Sequence, residues 1–383
     1  MSNQQTKLNG EKTYYYNDGT IWKKCNYVDD VLHGECTEYY PGGRTKAIMN
    51  FRNGTANGES KSFYKSGNLE YECNYVNGKM NGKYIEYYPN GRVSTIMHYN
   101  HGVRDGEHKT FYENGKFEYK CNYVNGKKEG TATKYHPNGQ ISAIENYSDD
   151  KHEGECKIFD EDGKLAHEFN YVNGKMKGIA VLYSDGKVRM ISHYSDGKKD
   201  GLETWYHSNG QVSTTENYKN GKSDGKHKTF RKEDETLMHE CSYVNGKMNG
   251  KYIEYYPNGQ ISVIINYSDN KREGEYKMFD ENGKLKDVGN YFNGKKDGTE
   301  TKYHPNGQIC AIVNYSNGEY DGEYKEFYEN GNLMCECSYV NGKMHGKCTE
   351  YYPNGQISTI TTYNNNDIWC GGDEAFYENG VKK

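Results

Sequence analysis

Short runs of apolar and aromatic residues alternate with turn residues along the whole chain, and no helical period interrupts them. One copy shows the grammar. Tyr75-Val76 leads into Asn77-Gly78-Lys79-Met80-Asn81-Gly82, and Lys83-Tyr84-Ile85-Glu86-Tyr87-Tyr88 then alternates up to Pro89-Asn90-Gly91. Arg92-Val93-Ser94-Thr95-Ile96-Met97-His98-Tyr99 alternates away from it. Aromatic and β-branched runs bounded by Asn, Gly and Pro are the signature of hairpins. Pro89-Asn90-Gly91 predicts a three-residue loop, a type I turn closed by a left-handed glycine, and Asn77-Gly78 predicts a two-residue type I′ turn.

The unit then repeats. Gly67, Gly91, Gly115 and Gly139 stand 24 residues apart, and sixteen copies can be followed from Gly19 to Gly380. A fixed period of this length means an array in which each unit leans on its neighbours. The fold class expected is all-β: an elongated, twisted antiparallel β-hairpin repeat array, mostly a single-layer sheet. Residues 1–10 read as an N-terminal tail and residues 11–383 as one continuous array. Three places break the rhythm. Gly178 to Gly186 is one residue short, Phe230 to Leu237 has one residue too many and no turn glycine, and the last copy contains Asn364-Asn365-Asn366-Asp367-Ile368-Trp369. Lys232-Glu233-Asp234-Glu235 is therefore expected to be the most flexible internal turn, and Trp369 to cap the C-terminal edge.

Register sharpens the expectation. The three-residue loop pairs Tyr88 with Arg92, Tyr87 with Val93 and Ile85 with Thr95, giving an aromatic–aliphatic ladder as the core, with Tyr75 and Tyr99 on the same face. The two-residue turn pairs Tyr75 with Met80, which puts even-numbered residues of the next strand on that face, whereas the ladder demands odd ones. Either one extra residue is absorbed at a β-bulge around Gly82, or the Asn-Gly segment is a wider loop. Gly78, Gly82 and Gly91, with their counterparts Gly246, Gly250 and Gly259, are the turn and bulge positions.

Composition changes the picture in one respect. Hydrophobic residues make up only 33% of the chain, and 40 of its residues are tyrosine, so burial must come from rings spread evenly along the array. Disordered chains are poor in such rings. The 49 basic and 54 acidic side chains interleave within every copy, for a net charge of −5, and no basic stripe of the kind phosphate backbones require is present. Met1–Gln5 lacks an apolar leader and no long apolar run follows, so the sequence predicts a cytoplasmic protein. In that compartment Cys25, Cys73, Cys121, Cys241 and Cys337, which share one repeat position, read as small, reduced, buried hydrophobes.

Candidate chemistry dissolves into the repeat. Gly78-Lys79-Met80-Asn81-Gly82-Lys83 has the wrong glycine spacing for a phosphate loop, and Asp160-Glu161-Asp162-Gly163 places its glycine too early for a calcium loop. Cys335-Glu336-Cys337 has no second pair at zinc-finger spacing, so no metal is expected there. His136, His207 and His304 replace a repeat tyrosine and read as surface aromatics. No catalytic constellation, cofactor, metal or small-molecule substrate is expected. On the face opposite the ladder, Tyr40, Tyr88, Tyr112, Tyr256, Tyr328 and Tyr352 either contact a partner or pack on neighbouring hairpins.

The string Tyr75-Val76-Asn77-Gly78-Lys79-Met80-Asn81-Gly82, repeated almost letter for letter from Tyr243 to Gly250 and followed by an aromatic and a second turn glycine, resembles MORN repeats. It is most similar to the variant repeats of the YwqK-like antitoxin family, over roughly residues 11–383. A further glycine of standard copies is replaced here by Cys36, Tyr84, His108 or Cys156. The resemblance implies a non-catalytic hairpin array serving protein interaction or membrane apposition. Three readings follow: a scaffold for protein–protein interaction; a peripheral module attached to anionic lipid through turns such as Lys198-Lys199 and Lys295-Lys296; and an antitoxin or immunity protein that neutralises a toxin by binding it.

Overall fold

The computed structural model describes residues 7–365, 367, 368 and 374–383; the expectation for Trp369 lies outside them. The described residues form antiparallel strands and turns, with no helix among them. The chain divides into two compact units, Met1–Lys187 and Val188–Lys383, and both are built from the same hairpin.

In the first unit the strands Gly82–Tyr87 and Val93–Asn100 show how it closes. Tyr88 N–H donates to the Arg92 carbonyl at 2.7 Å and Gly91 N–H to the Tyr88 carbonyl at 2.8 Å, which is the three-residue loop expected. Tyr87 faces Val93, but Glu86 faces Thr95 and Ile85 faces Ile96. Ser94 is thus an extra residue directly after the loop, and this corrects the pairing of Ile85 with Thr95. In the second unit Ser262 is the corresponding bulge, between Tyr255↔Ile261 and Glu254↔Val263. A three-residue loop commonly ends in a bulge because the added twist realigns the strands.

The bulge at Ser94 also settles the parity conflict, at a different place from the one expected. Asn77 and Gly78, with φ of 48° and 78°, make the type I′ turn, and Tyr75 pairs with Met80. Past the turn the register moves from Tyr75↔Met80 to Glu72↔Ile85, so the strand carrying Gly82 takes up two extra residues, not one. Two extra residues leave the faces unchanged, and the flip occurs at Ser94. Glycine suits this distortion for a local reason. At the equivalent Gly58, φ is 107°, and a Cβ would come within 3.2 Å of Asn50 Cβ. Asn50 Nδ2 lies there and donates to the Glu59 carbonyl at 2.9 Å, tying the widened ladder together. Asn266 donates to the Glu275 carbonyl at 2.6 Å in the same way in the second unit.

Because of that flip, Tyr99 sits across from Gly82 on the face away from Val93. That second face is where burial concentrates. The aromatic–aliphatic ladder exists, as in the 4.9 Å stack of Phe111 on Phe117, but its members are only half-buried. The fully buried side chains Cys25, Ser60, Ser192, Tyr276 and Val313 belong to the other face. Small residues there are roofed by rings. Cys121 and Ala132 lie beneath Tyr119, Tyr123 and Tyr147, and Lys128 stands 5.3 Å from the Tyr119 ring and 5.0 Å from that of Tyr147. Size is complementary across strands: Tyr276, 1% exposed, lies opposite Gly289, where a Cβ would come within 2.9 Å of the ring. Of the five cysteines read as reduced, Cys73, Cys121, Cys241 and Cys337 are free and buried. Cys25 differs. It lies directly opposite Cys36, with 4.0 Å between Cα atoms, and the two are joined as a disulfide.

Candidate binding surface

The six tyrosines singled out from sequence share one structural task. Each hydroxyl donates to a backbone carbonyl in the next copy: Tyr40 to Phe63 (2.8 Å), Tyr88 to Phe111 (2.6 Å), Tyr112 to Tyr135 (2.7 Å), Tyr256 to Phe279 (2.9 Å), Tyr328 to Tyr351 (2.8 Å) and Tyr352 to Phe376 (2.9 Å). All are partly buried, so the packing alternative describes their hydroxyl ends. His136, His207 and His304, partly buried, hold the same post: a ring nitrogen of each lies 3.0, 3.1 and 2.8 Å from the carbonyls of Phe159, Phe230 and Phe327. Asp160 cannot donate. Its Oδ1 accepts from the N–H groups of Asp162 and Lys164 and braces its own loop, which is what the calcium-like string does here.

Two further links join successive copies. Loop asparagines donate to the next loop, as Asn258 Nδ2 does to the Glu281 carbonyl at 2.7 Å. The type I′ glycines donate backward, Gly78 N–H to the Ala56 carbonyl (2.8 Å) and Gly246 N–H to that of Ser223 (2.7 Å). A single neutral link contributes about 1 kcal/mol. Tyr88→Phe is therefore expected to destabilise by about 1 kcal/mol, and Tyr88→His to recover most of it, because histidine fills this post elsewhere. Denaturant unfolding checks this, and equal losses in both variants would contradict it.

What remains accessible is a different row. In the first unit Val124 and Val172 are 45% and 39% exposed; in the second, Val244, Phe292 and Val340 are 50%, 58% and 42% exposed. They occupy one repeat position in alternate copies, next to the type I′ turn, while Asn100, Ser148, Ser268 and Ser316 fill it between them. Each of these five is paired across its hairpin with a lysine: Val124 with Lys127, Val172 with Lys175, Val244 with Lys247, Phe292 with Lys295 and Val340 with Lys343, whereas Val28, 48% exposed at the same repeat position, pairs with Val31. Lys127 and Lys247 reach Asp149 and Asp269 of the following turn. Tyr123, one residue before Val124, is 8% exposed, so the alternation of the strand turns the tyrosine inward and the valine out. Sequence reasoning passed over this row because a lone valine before Asn-Gly looks like ordinary strand. Its 48-residue recurrence (Val124 to Val172, Val244 to Phe292, Phe292 to Val340) was the available signal.

An antiparallel array of hairpins, stapled copy to copy, defines a hairpin-repeat protein. The chain belongs to the MORN repeat variant family, whose model matches thirteen segments: 8–29, 32–53, 56–77, 80–101, 104–125, 128–149, 153–173, 199–220, 248–269, 272–293, 296–317, 320–341 and 344–365. The matches skip 174–198 and 221–247, which contain two of the irregular copies. No curated protein matches the chain. Among solved structures, 29% of this chain aligns with 22% of a chain in the GtfA/B complex bound to UDP and GlcNAc, at 14% identity and a TM-score of 0.15. TcdB2-TccC3 aligns over 96% of this chain and 28% of its own, at 11% identity and a TM-score of 0.16. The Photorhabdus luminescens Tc holotoxin pore aligns over 96% and 26%, at 10% identity and a TM-score of 0.16. This chain thus spans 22% to 28% of those chains, and likenesses this slight bear on neither fold nor function. No helix long and apolar enough to cross a membrane occurs among the described residues.

Proposed function

We propose that the protein is a non-catalytic scaffold that binds a protein partner along the exposed apolar row, and not through its tyrosines. The observation that carries this is the row itself. The tyrosine hydroxyls and asparagine amides of the loops are engaged in stapling the array, whereas Val244, Phe292 and Val340 stay exposed at equal spacing. Apolar residues presented repeatedly in one setting suit a partner that is itself extended or repetitive, since several weak contacts at a matched spacing multiply. Affinity capture from the native host, with the full chain against Val244→Asp/Phe292→Asp/Val340→Asp, tests the reading. The partner is expected with the parent chain and is expected to fall to background with the variant. Equal recovery of every protein by both would overturn it.

Membrane attachment is the second reading, favoured by the pairing of Val124, Val172, Val244, Phe292 and Val340 with a lysine beside a hairpin turn. Such a pair sets an apolar side chain at the depth of lipid headgroups with a cation beside it, worth about 1 kcal/mol per lysine near an anionic surface. Flotation with phosphatidylserine vesicles separates the readings. Salt-sensitive flotation abolished by the triple variant favours the membrane, and absence of flotation leaves the protein partner.

A further inference from the structure

We propose that Cys335, Cys337 and Cys348 form a trigonal thiolate site for one monovalent copper ion. Cys335 and Cys337 are two residues apart on the strand Leu333–Val340, so both side chains lie on the same face. The strand Gly346–Tyr351 runs antiparallel beside it, with Cys335 facing Glu350 and Glu336 facing Thr349, and that register brings Cys348 opposite Cys337. The sulfurs converge. Cys335 Sγ lies 3.4 Å from Cys337 Sγ and 3.8 Å from Cys348 Sγ, and all three atoms fall within 4.8 Å of one another. An ion about 2.3 Å from each of three sulfurs holds them roughly 3.8 to 4.0 Å apart; the 3.8 Å pair already fits, and the 3.4 Å pair need open by only a few tenths of an ångström.

Chemistry selects the ion. Thiolates are soft ligands and choose monovalent copper or zinc over hard cations. Structural zinc takes four protein ligands, and no fourth cysteine, histidine, aspartate or glutamate joins this group among the described residues. Monovalent copper is satisfied by three sulfurs. Cys337 and Cys348 are 6% and 7% exposed and Cys335 lies half-buried at the edge, so the ion has an entry side and is otherwise screened from water. Binding converts three thiols to thiolates and releases their protons, leaving copper's oxidation state unchanged.

A comparison within the chain separates this from general cysteine packing. Cys25 and Cys36 are 11 residues apart, as are Cys337 and Cys348, and occupy the corresponding repeat positions. The earlier pair is joined as a disulfide, whereas in the later copy a third thiol, Cys335, stands beside the pair and all three are free.

The test uses the full chain, reduced and oxygen-free, titrated with monovalent copper against a bicinchoninate competitor, with X-ray absorption at the copper edge. One tightly held equivalent with three sulfur neighbours is expected. Cys335→Ser, at the half-buried position, is expected to weaken it by about a hundredfold or more, since even outer-shell changes at metal sites cost ten- to a hundredfold. Cys121→Ser, a buried thiol outside the cluster, should leave it unchanged. Unaltered binding in Cys335→Ser/Cys348→Ser, a two-sulfur copper spectrum in the parent chain, or tighter retention of zinc than of copper would each overturn the proposal. The spectrum of the parent chain stands even if a variant fails to fold.

Discussion

Glu300→Ala is expected to destabilise the second unit by about 2 to 3 kcal/mol, the upper part of the range for leaving a buried hydrogen-bonding partner unsatisfied. Glu300 is 2% exposed at the centre of a polar knot. Its Oε1 accepts from Tyr276 Oη and Lys296 Nζ, and its Oε2 from Tyr315 Oη at 2.9 Å. Lys296 also lies over the rings of Tyr276 and Tyr315, at 5.4 and 5.1 Å. Removing the carboxylate leaves the lysine, 30% exposed, free to swing toward water, but Tyr276 has no such escape at 1% exposure. Its hydroxyl would be stranded, a cost of about 1 to 3 kcal/mol by itself. Because stability in a repeat array is carried by neighbouring interfaces, the loss should be local. Hydrogen exchange should show lost protection around Tyr276 and Val313 while the amides near Tyr123 are unaffected. Loss spread evenly over the chain, or below about 1 kcal/mol, would count against the knot.

The same carboxylate makes a pH prediction. Burial alone would raise the Glu300 pKa, but the hydrogen bonds from Lys296, Tyr276 and Tyr315 outweigh it and hold the group below the ordinary carboxylate value of 4.5. Glu203 is held down in the same sense: burial is outweighed by bonds from Lys199, Ser192 and Trp205. A carboxylate with a depressed folded-state pKa contributes stability that is fully present above its unfolded value and is lost as pH falls through the folded one. The second unit should therefore melt at a nearly constant temperature above pH 5 and lose stability as pH falls below about 4.5. Glu300→Gln should flatten part of that fall. Parallel acid profiles for parent and variant would show that the carboxylate is not the titrating group.

How far the sequence could be read depended on how local each cause is. Asn77-Gly78 and Pro89-Asn90-Gly91 specify their turns through their own backbone preferences, so both loops were legible from four or five residues. The bulge at Ser94 was not, because serine carries no bulge signal and parity could be restored as well at Gly82, where the glycine drew attention. That displacement moved Tyr99 to the other face and with it the place of the core. Tyr88 advertises an interface residue, yet its acceptor, the Phe111 carbonyl, lies 23 residues on and belongs to no motif. Glu300 was invisible for another reason: its repeat position holds Ser60, Tyr84, His108, Ala132 and Cys348 elsewhere, and only the neighbours decide what is tolerated. Cys335 and Cys337 were seen as a motif, but Cys348 joins them only through strand register, across the place beside Gly346 where the ladder takes up two extra residues.

The copy without a turn glycine carries the second large effect. The sequence marks Lys232-Glu233-Asp234-Glu235 as the weakest internal turn, and the structure shows what holds it closed. Arg231 occupies the post of the stapling tyrosine. Its Nη2 donates to the Tyr255 carbonyl, and its Nη1 donates to the Leu237 carbonyl at 3.0 Å and Thr236 Oγ1 at 3.3 Å. The loop carries one residue more than its counterparts, and the long guanidinium fork serves several acceptors at once, which a tyrosine hydroxyl does not. Hydrogen bonds from a charged donor contribute about 1.5 to 3 kcal/mol, so Arg231→Ala should ease local opening by about 2 kcal/mol. Where opening is fast relative to cleavage, that corresponds to a roughly thirtyfold rise in proteolysis within 232–235. Glu235 adds strain of its own, since its φ of 59° is left-handed for a residue with a side chain. Glu235→Gly should return about 1 kcal/mol to the Arg231→Ala chain and slow the cutting several-fold. Limited proteolysis of the parent and both variants decides the matter. If Arg231→Ala is cut no faster than the parent, the guanidinium is not the clasp, and if Glu235→Gly accelerates cutting, the strain argument fails.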